Sequence, residues 1–335
     1  MTTLKVIRAD KEGASVNLDL ETSELKKVGA QLVGVNASTE GEIISAAKDA
    51  DGIITSKALI TAKIIKALPK LKVIVRLGVG YDNIDINAAT DEGVIVAYIP
   101  DYCYEEVSNH AIALLLACNR KLVMQNGLLK TGQWKEAQQS LPPMGTIYGD
   151  TLGIIGTGNI GRRTGGKAQA FGLKVIGYDP YVDKTIVQPY GITLTDFSTV
   201  LCESDYLSIH VPLNDETRHM IGNEQLAQMK PNAYLINTAR GKVVDQVALT
   251  KALCEKTIAG AALDVFDKEP LDPDNPLLKM DNVICTPHSA FFSDASTVKQ
   301  RMKAGEESAR VLSGRWPKNI ANKGVKPRVP LIIGD

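Results

Sequence analysis

The sequence predicts an α/β protein made of two parallel sheets, each covered by helices on both faces. Three observations predict it. Short apolar runs alternate with helical patterns from residue 1 to about 100, and again from residue 151 to about 291. Alternation of that kind implies βαβ units and parallel strands. A glycine fingerprint opens the second series, and 335 residues is long enough for two domains.

In the first series the strand-like runs are Leu4 to Arg8, Gln31 to Val35, Gly52 to Thr55, Leu71 to Val75 and Val94 to Ala97. Thr39 to Ala50 and Thr61 to Leu68 carry helical patterns between them. This first domain has no dinucleotide fingerprint. Its most unusual stretch is VRLGVGYDNID, Val75 to Asp85, which follows a strand. Open α/β sheets place ligands at that end of a strand. Pro100 and Asp101 mark a break. Glu105 to Leu129 then reads as one long helix that passes between the domains. Thr131 to Asp150 has little regular pattern and reads as an extended surface arm.

The second series begins with TLGIIGTGNIG. Leu152 to Ile155 reads as a buried strand, and Gly156, Gly158 and Gly161 follow in G-x-G-x-x-G spacing. The first glycine permits a tight turn, the second lets backbone approach a pyrophosphate, and the third lets helix and strand pack closely. The helix N-terminus offers free N–H groups to phosphates. A second strand ends at Tyr178. Asp179 lies 18 residues after Gly161, where an acid can accept hydrogen bonds from a ribose. Four more strands are expected at Tyr206 to Val211, Ala233 to Ile236, Ala261 to Val265 and Val283 to Cys285. Six strands make a Rossmann-like dinucleotide domain. A last helix, Asp294 to Leu312, is expected to return to the first, flavodoxin-like domain, and the tail from Ala321 is expected to be irregular. The expected domains are therefore residues 1–101 with 292–335, and residues 102–291.

Composition excludes several functions. Lys plus Arg and Asp plus Glu each total 38, which gives no electrostatic footprint for nucleic acid or for an acidic membrane. The five cysteines are scattered, with no C-x-x-C pair, as in a reduced cytoplasmic protein without disulfides or a metal site. No apolar run reaches the length of a membrane span.

The chain has four histidines. His110 lies in the long helix and reads as structural. His210 follows a strand and His219 lies in a polar loop. His288 follows strand ICT within TPHSAFF, at a strand's C-terminal end. Histidine titrates near neutral pH and suits proton transfer there, although position alone also fits a hydrogen-bonded histidine. Arg240 projects from the loop of INTARGKVVD, whose Asp245 suits a helix N-cap. A guanidinium in that place can grip a carboxylate with two parallel bonds, or pair with an acid of the other domain. Glu269, in DVFDKEP, could orient the His288 ring and favour its charged form. Asp264 could meet a nicotinamide amide or cap a turn. Gly165 and Gly166 are unusual inside a helix, and nothing in the sequence accounts for them.

These motifs together resemble the D-isomer-specific 2-hydroxyacid dehydrogenases. RLGVGYDNID, TLGIIGTGNIG, YDP, HVPLNDET, INTARGKVVD, GAALDVFDKEP and CTPHSAFFS stand in the family's order over nearly the whole chain. VRLGVGYDNID and the aromatic pair after TPHSA look most like the branch of the corepressor C-terminal binding protein. The resemblance implies an NAD-dependent enzyme that interconverts a 2-keto acid and a D-2-hydroxy acid. It implies catalytic roles for Arg240, Glu269 and His288. It implies cofactor contacts at Gly156, Gly158, Asn159, Ile160, Gly161, Asp179, Pro180, His210, Val211, Pro212, Thr217, Thr238, Ala239, Asp264 and His288. Substrate contacts are expected at Ser56, Lys57, Arg76, Leu77, Gly78, Val79, Gly80, Arg240 and Phe291. Lys57 either points to solvent or meets a second negative group on the substrate. Asp179 favours NAD, because a 2′-phosphate would face its charge and DPYVDK holds no arginine. A homodimer through the long helix and arm is implied. Two chain positions depart from the pattern: Asn109 replaces a common acid, and Phe291 stands where the corepressor branch has tryptophan. Other readings keep the fold and change the role, to a phosphonate or phosphite substrate or to an NADH-sensing binding protein like the corepressor.

Overall fold

A computed structural model describes residues 4–334. The chain forms two compact units, one running to Tyr102 and resuming at Ser293, the other Cys103–Phe292. The expected boundaries fall one residue away from these.

The first unit contains β1 (Leu4–Asp10), α1 (Asp19–Lys26), β2 (Ala30–Asn36), α2 (Glu40–Ala47), β3 (Gly52–Thr55), α3 (Ala62–Ala67), β4 (Val73–Arg76), α4 (Ile86–Asp91) and β5 (Ile95–Tyr98). The strands pair in the order β2-β1-β3-β4-β5, all parallel. Helices cover both faces, so the strands are apolar without alternation. Ile7, Ile53 and Ile74 face one layer, Val6, Val73 and Val75 the other, and all six are fully buried. Thr39 and Glu42 close a capping box at the start of α2, and the Asp85 carboxylate caps α4 at Ala88 N, 2.9 Å away. The helix expected from Thr39 therefore begins one residue later, with Thr39 as its cap.

The second unit contains α5 (Tyr104–Asn119), α6 (Leu122–Lys130), α7 (Trp134–Gln139), β6 (Thr151–Ile155), α8 (Asn159–Ala170), β7 (Lys174–Tyr178), α9 (Lys184–Val187), β8 (Thr193–Leu194), α10 (Phe197–Glu203), β9 (Tyr206–Ile209), α11 (Asn223–Gln228), β10 (Tyr234–Asn237), α12 (Gln246–Cys254), β11 (Gly260–Leu263) and β12 (Val283–Cys285). The order is β12-β11-β10-β9-β6-β7-β8, again parallel throughout.

Several sequence expectations change here. The single helix from Glu105 to Leu129 is two helices, because Lys121 takes a left-handed backbone, φ 51°, between α5 and α6. All of α5 belongs to the second unit, where it packs on α8, β10 and β11. The arm at 131–150 contains a helical turn, α7. The sheet has a seventh strand, β8, whose two residues are too few to show a period. The strand expected to reach Val211 stops at Ile209, which leaves His210 and Val211 in the following loop. No described helix is long and apolar enough to cross a membrane.

The last helix, α13 (Asp294–Leu312), returns to the first unit as expected. It packs along α1 and over β3, β4 and β5. Ser293 caps it at Ser296 N, 2.9 Å away. The tail beyond it makes isolated bridges, Ala97 with Ile320 and Arg315 with Ile332, and is tied down by Asn322, which bonds Val96 N and Val94 O, and by Arg328, which donates to Leu68 O and Leu71 O.

Candidate active site

Each sheet has one place where strand order reverses. In the second unit it lies between β6 and β9. Gly156 follows β6 there with φ 87°, a conformation costly for any side chain. A methyl group on it would also sit 2.8 Å from the backbone of His210. A methyl on Gly161 would overlap the Gly156 carbonyl, so α8 needs glycine to lie this close to β6. Gly158 has open space beside it, and the N-terminus of α8 has no side-chain cap. Its N–H groups are therefore left for an anion. Asn159 lends its amide to Tyr104, 3.0 Å away, and Ile160 is half-buried.

Asp179 follows β7. Its Oδ2 accepts from Thr157 N at 2.8 Å, and Oδ1 from Tyr181 N at 3.0 Å. A carboxylate offers about four acceptor sites, so capacity remains. Pro180 and Pro212 are exposed and Val211 is half-buried. Thr217 is used within its own turn, its hydroxyl donating to Pro212 O at 2.6 Å and its N–H donating to Asn214 Oδ1 at 2.9 Å. Burial pushes the His210 imidazole down to about 4, and Ser208 Oγ meets its Nε2 at 2.9 Å. At neutral pH that ring is uncharged.

Asn237 ends β10, almost wholly buried. Its side chain accepts from Ala239 N at 3.0 Å and donates to Arg240 O at 2.9 Å. Both bonds shape the loop that projects Arg240, whose Nη1 rests on Ala239 O at 2.8 Å. Asp245 caps α12 as expected, from Val247 N and Ala248 N. The Thr238 hydroxyl is buried and lacks a hydrogen-bond partner. A buried orphan of this kind points to a missing ligand group.

The loop after β12 is held at several points. Asp264, fully buried at the end of β11, receives Ser289 N and Ala290 N at 2.9 Å each, and Thr286 Oγ1 at 2.5 Å. Its carboxylate is thus a cap on the loop, the second of the two uses considered for it. His110 Nε2 lies 3.0 Å from Thr286 Oγ1. The hydroxyl spends its only proton on Asp264, so His110 donates. These bonds hold His288 at φ 54°, a left-handed backbone that costs on the order of 1 kcal/mol or more without glycine. His288 Nδ1 then lies 2.6 Å from Glu269 Oε2, while Glu269 Oε1 accepts from Phe266 N at 3.1 Å. An ionised carboxylate only accepts, so Nδ1 carries the proton and Nε2 faces away from Glu269. The Phe291 ring stands edge-on to His288, centroids 6.3 Å apart.

The family model for the D-isomer specific 2-hydroxyacid dehydrogenase NAD binding domain matches residues 112–290. The chain belongs to that family. It is 41% identical over 291 residues to a glyoxylate reductase of Korarchaeum cryptofilum, covering 86% of this chain and 88% of that protein. It is 42% identical over 312 residues to a D-3-phosphoglycerate dehydrogenase of Methanocaldococcus jannaschii; that match takes in 91% of this chain but 57% of the relative's length. Among solved structures, D-lactate dehydrogenase from Aquifex aeolicus, complexed with NAD and lactic acid, superimposes with TM-score 0.82 at 30% identity, over 95% of this chain and 99% of that one.

The first unit places its expected substrate residues at strand ends too. Arg76 ends β4 and turns its Nη1 to Leu77 O at 2.8 Å, lying across Gly78. Gly78 has φ 142° and would clash with that guanidinium if it carried a side chain. Leu77 is buried, while Val79 and Gly80 are half-buried. Ser56 is half-buried and the Lys57 side chain is exposed. Three residues that shape these loops were missed: Asn237, Thr286 and His110. Each is a polar residue at a strand end or on an otherwise apolar helix face, a signal that marks a partner without naming it.

Proposed function

We propose that the protein is an NAD-dependent dehydrogenase that interconverts a 2-keto acid and a D-2-hydroxy acid. The 2.6 Å contact between His288 and Glu269, on a loop held in a costly backbone by Asp264, carries this reading. The residues present fit a dinucleotide. The uncapped start of α8 and the open side of Gly158 suit its pyrophosphate. Asp179 keeps acceptor capacity for a ribose, and the Thr238 hydroxyl supplies an unused buried polar group. When bound, the nicotinamide supplies or accepts the hydride.

The chain's own residues do the rest. Arg240 binds the carboxylate and polarises the keto oxygen. His288 delivers its proton from Nε2 to that oxygen during reduction and takes it back during oxidation. Glu269 holds the ring with Nε2 outward and compensates the charge of the imidazolium. The first unit, by itself, offers an acid Arg76 and the N–H groups of Val79 and Gly80.

A second reading changes the substrate to a phosphorylated keto acid. The likeness to D-3-phosphoglycerate dehydrogenase favours it, and Arg76 provides a cation in addition to Arg240. One experiment tests both. NADH and NADPH oxidation would be followed with glyoxylate, pyruvate and 3-phosphohydroxypyruvate. NADH should be preferred, and Asp179→Ser should relax that preference. A wild type that prefers NADPH, or that reduces none of the three acids, overturns the proposal.

A further inference from the structure

In the first sheet, strand order reverses between β1 and β3, and open α/β sheets hold ligands outside such a point. Here the turn after β3 converges its amides on one carboxylate. Ser56 N lies 3.0 Å from each Asp10 oxygen. Lys57 N and Ala58 N lie 2.8 and 3.3 Å from Oδ1, and the Thr55 hydroxyl lies 3.3 Å from it. Successive N–H groups around an anion form a nest of the kind that binds phosphates and other anions. In this chain the occupant is internal.

Asp10 is itself held from behind. Arg8 Nε donates to it at 2.7 Å, and Arg8 Nη1 lies 3.6 Å from Glu21. Glu21 is fully buried, and Arg301 of α13 forks onto its two oxygens at 2.9 and 2.6 Å. Two anions and two cations alternate along this row. Removing one member leaves a neighbour's charge buried and uncompensated, which is strongly destabilising. The row therefore acts as a unit, from the C-terminal helix to the turn.

We propose that Asp10 is a positioning residue for the organic acid: by filling the amide nest it fixes the turn that presents Ser56, and the row to Arg301 sets how firmly that turn is held. This rests on the reading that the first unit's strand ends take the substrate. It follows that the 56–58 amides are denied to the substrate carboxylate, which must be met by guanidinium groups and by the loop after β4.

The test uses the full-length protein with Asp10→Asn and Arg301→Lys. Asp10→Asn keeps one oxygen and removes the charge; Arg301→Lys keeps the charge and removes the fork. For glyoxylate, KM in Asp10→Asn should rise about tenfold, the equivalent of ~1.4 kcal/mol, with kcat within about threefold of wild type. The NADH Kd should not move, and amide exchange should quicken at residues 56–58. Arg301→Lys should shift KM and exchange in the same direction by less, and it decides the matter if Asp10→Asn does not fold. A KM that stays put while the wild type turns over overturns the role of Asp10. Unchanged exchange at 56–58 overturns the nest. A wild type that reduces no acid overturns the proposed function instead, and the role toward substrate with it.

Discussion

Replacing Gly165 and Gly166 of α8 separately by alanine should have opposite effects. In a helix interior glycine is about 1 kcal/mol less favourable than alanine, so propensity alone predicts that both changes stabilise. Packing divides them. A methyl on Gly165 would sit 2.7 and 2.8 Å from Ile192 Cδ1 and Cγ1, and 3.1 Å from Ile154 Cδ1. Ile192 is itself buried at 5% exposure, so it has little room to retreat. Ile154 is fully buried. Overpacking of this kind costs typically about 1–3 kcal/mol, which outweighs the propensity gain. A methyl on Gly166 would meet only the half-buried Tyr190 ring, at 3.3 Å, and that ring can yield. Gly165→Ala should therefore lose about 1 kcal/mol net and Gly166→Ala should gain about 0.5–1. For a domain of this size 1 kcal/mol corresponds to roughly 2–4 °C in Tm. Thermal melts of the two variants measure the difference. Gly165→Ala should also weaken NADH binding, since it pushes the start of α8 off its strand, and Gly166→Ala should not. If Gly165→Ala raises Tm as much as Gly166→Ala, the close approach of α8 to Ile192 is not what glycine serves.

Two further outcomes follow from the second unit. His288→Ala should lower turnover about 10²–10⁴-fold, the usual size for a positioned general acid, with NADH affinity little changed; turnover within threefold of wild type would remove His288 from the chemistry. His210 is held at about 4 in the folded state against about 6.5 unfolded, so the unfolded chain binds more protons between those values and stability falls as pH falls through that window. The loss from pH 7 to pH 5 should be about 2 kcal/mol from this group. Urea midpoints across that range should drop more steeply in wild type than in His210→Asn, and parallel slopes would show that the ring is not held neutral.

Periodicity and punctuation determined most of the architecture before any coordinates. Apolar runs in TLGII, LKVIGY and VIVR have no polar alternation because both faces of these strands are covered, and that alone implies a parallel sheet. The G-x-G-x-x-G spacing and Asp179 were legible because backbone geometry at a phosphate tolerates few residue types. His288, Glu269 and Arg240 could be placed at strand ends, but their distances could not. Only the tertiary structure decided that Asp264 caps the His288 loop, that His110 reaches it through Thr286, and that Asp10 fills the 55–58 turn. Those contacts join residues 22 to 26, 176, and about 47 positions apart, and a buried carboxylate chooses its donors from whatever the fold brings near. The break at Lys121 and the two-residue β8 were hidden for a different reason: a single left-handed residue and so short a strand leave no period to read. Gly165 looked like a defect in a helix until Ile192 was seen beside it.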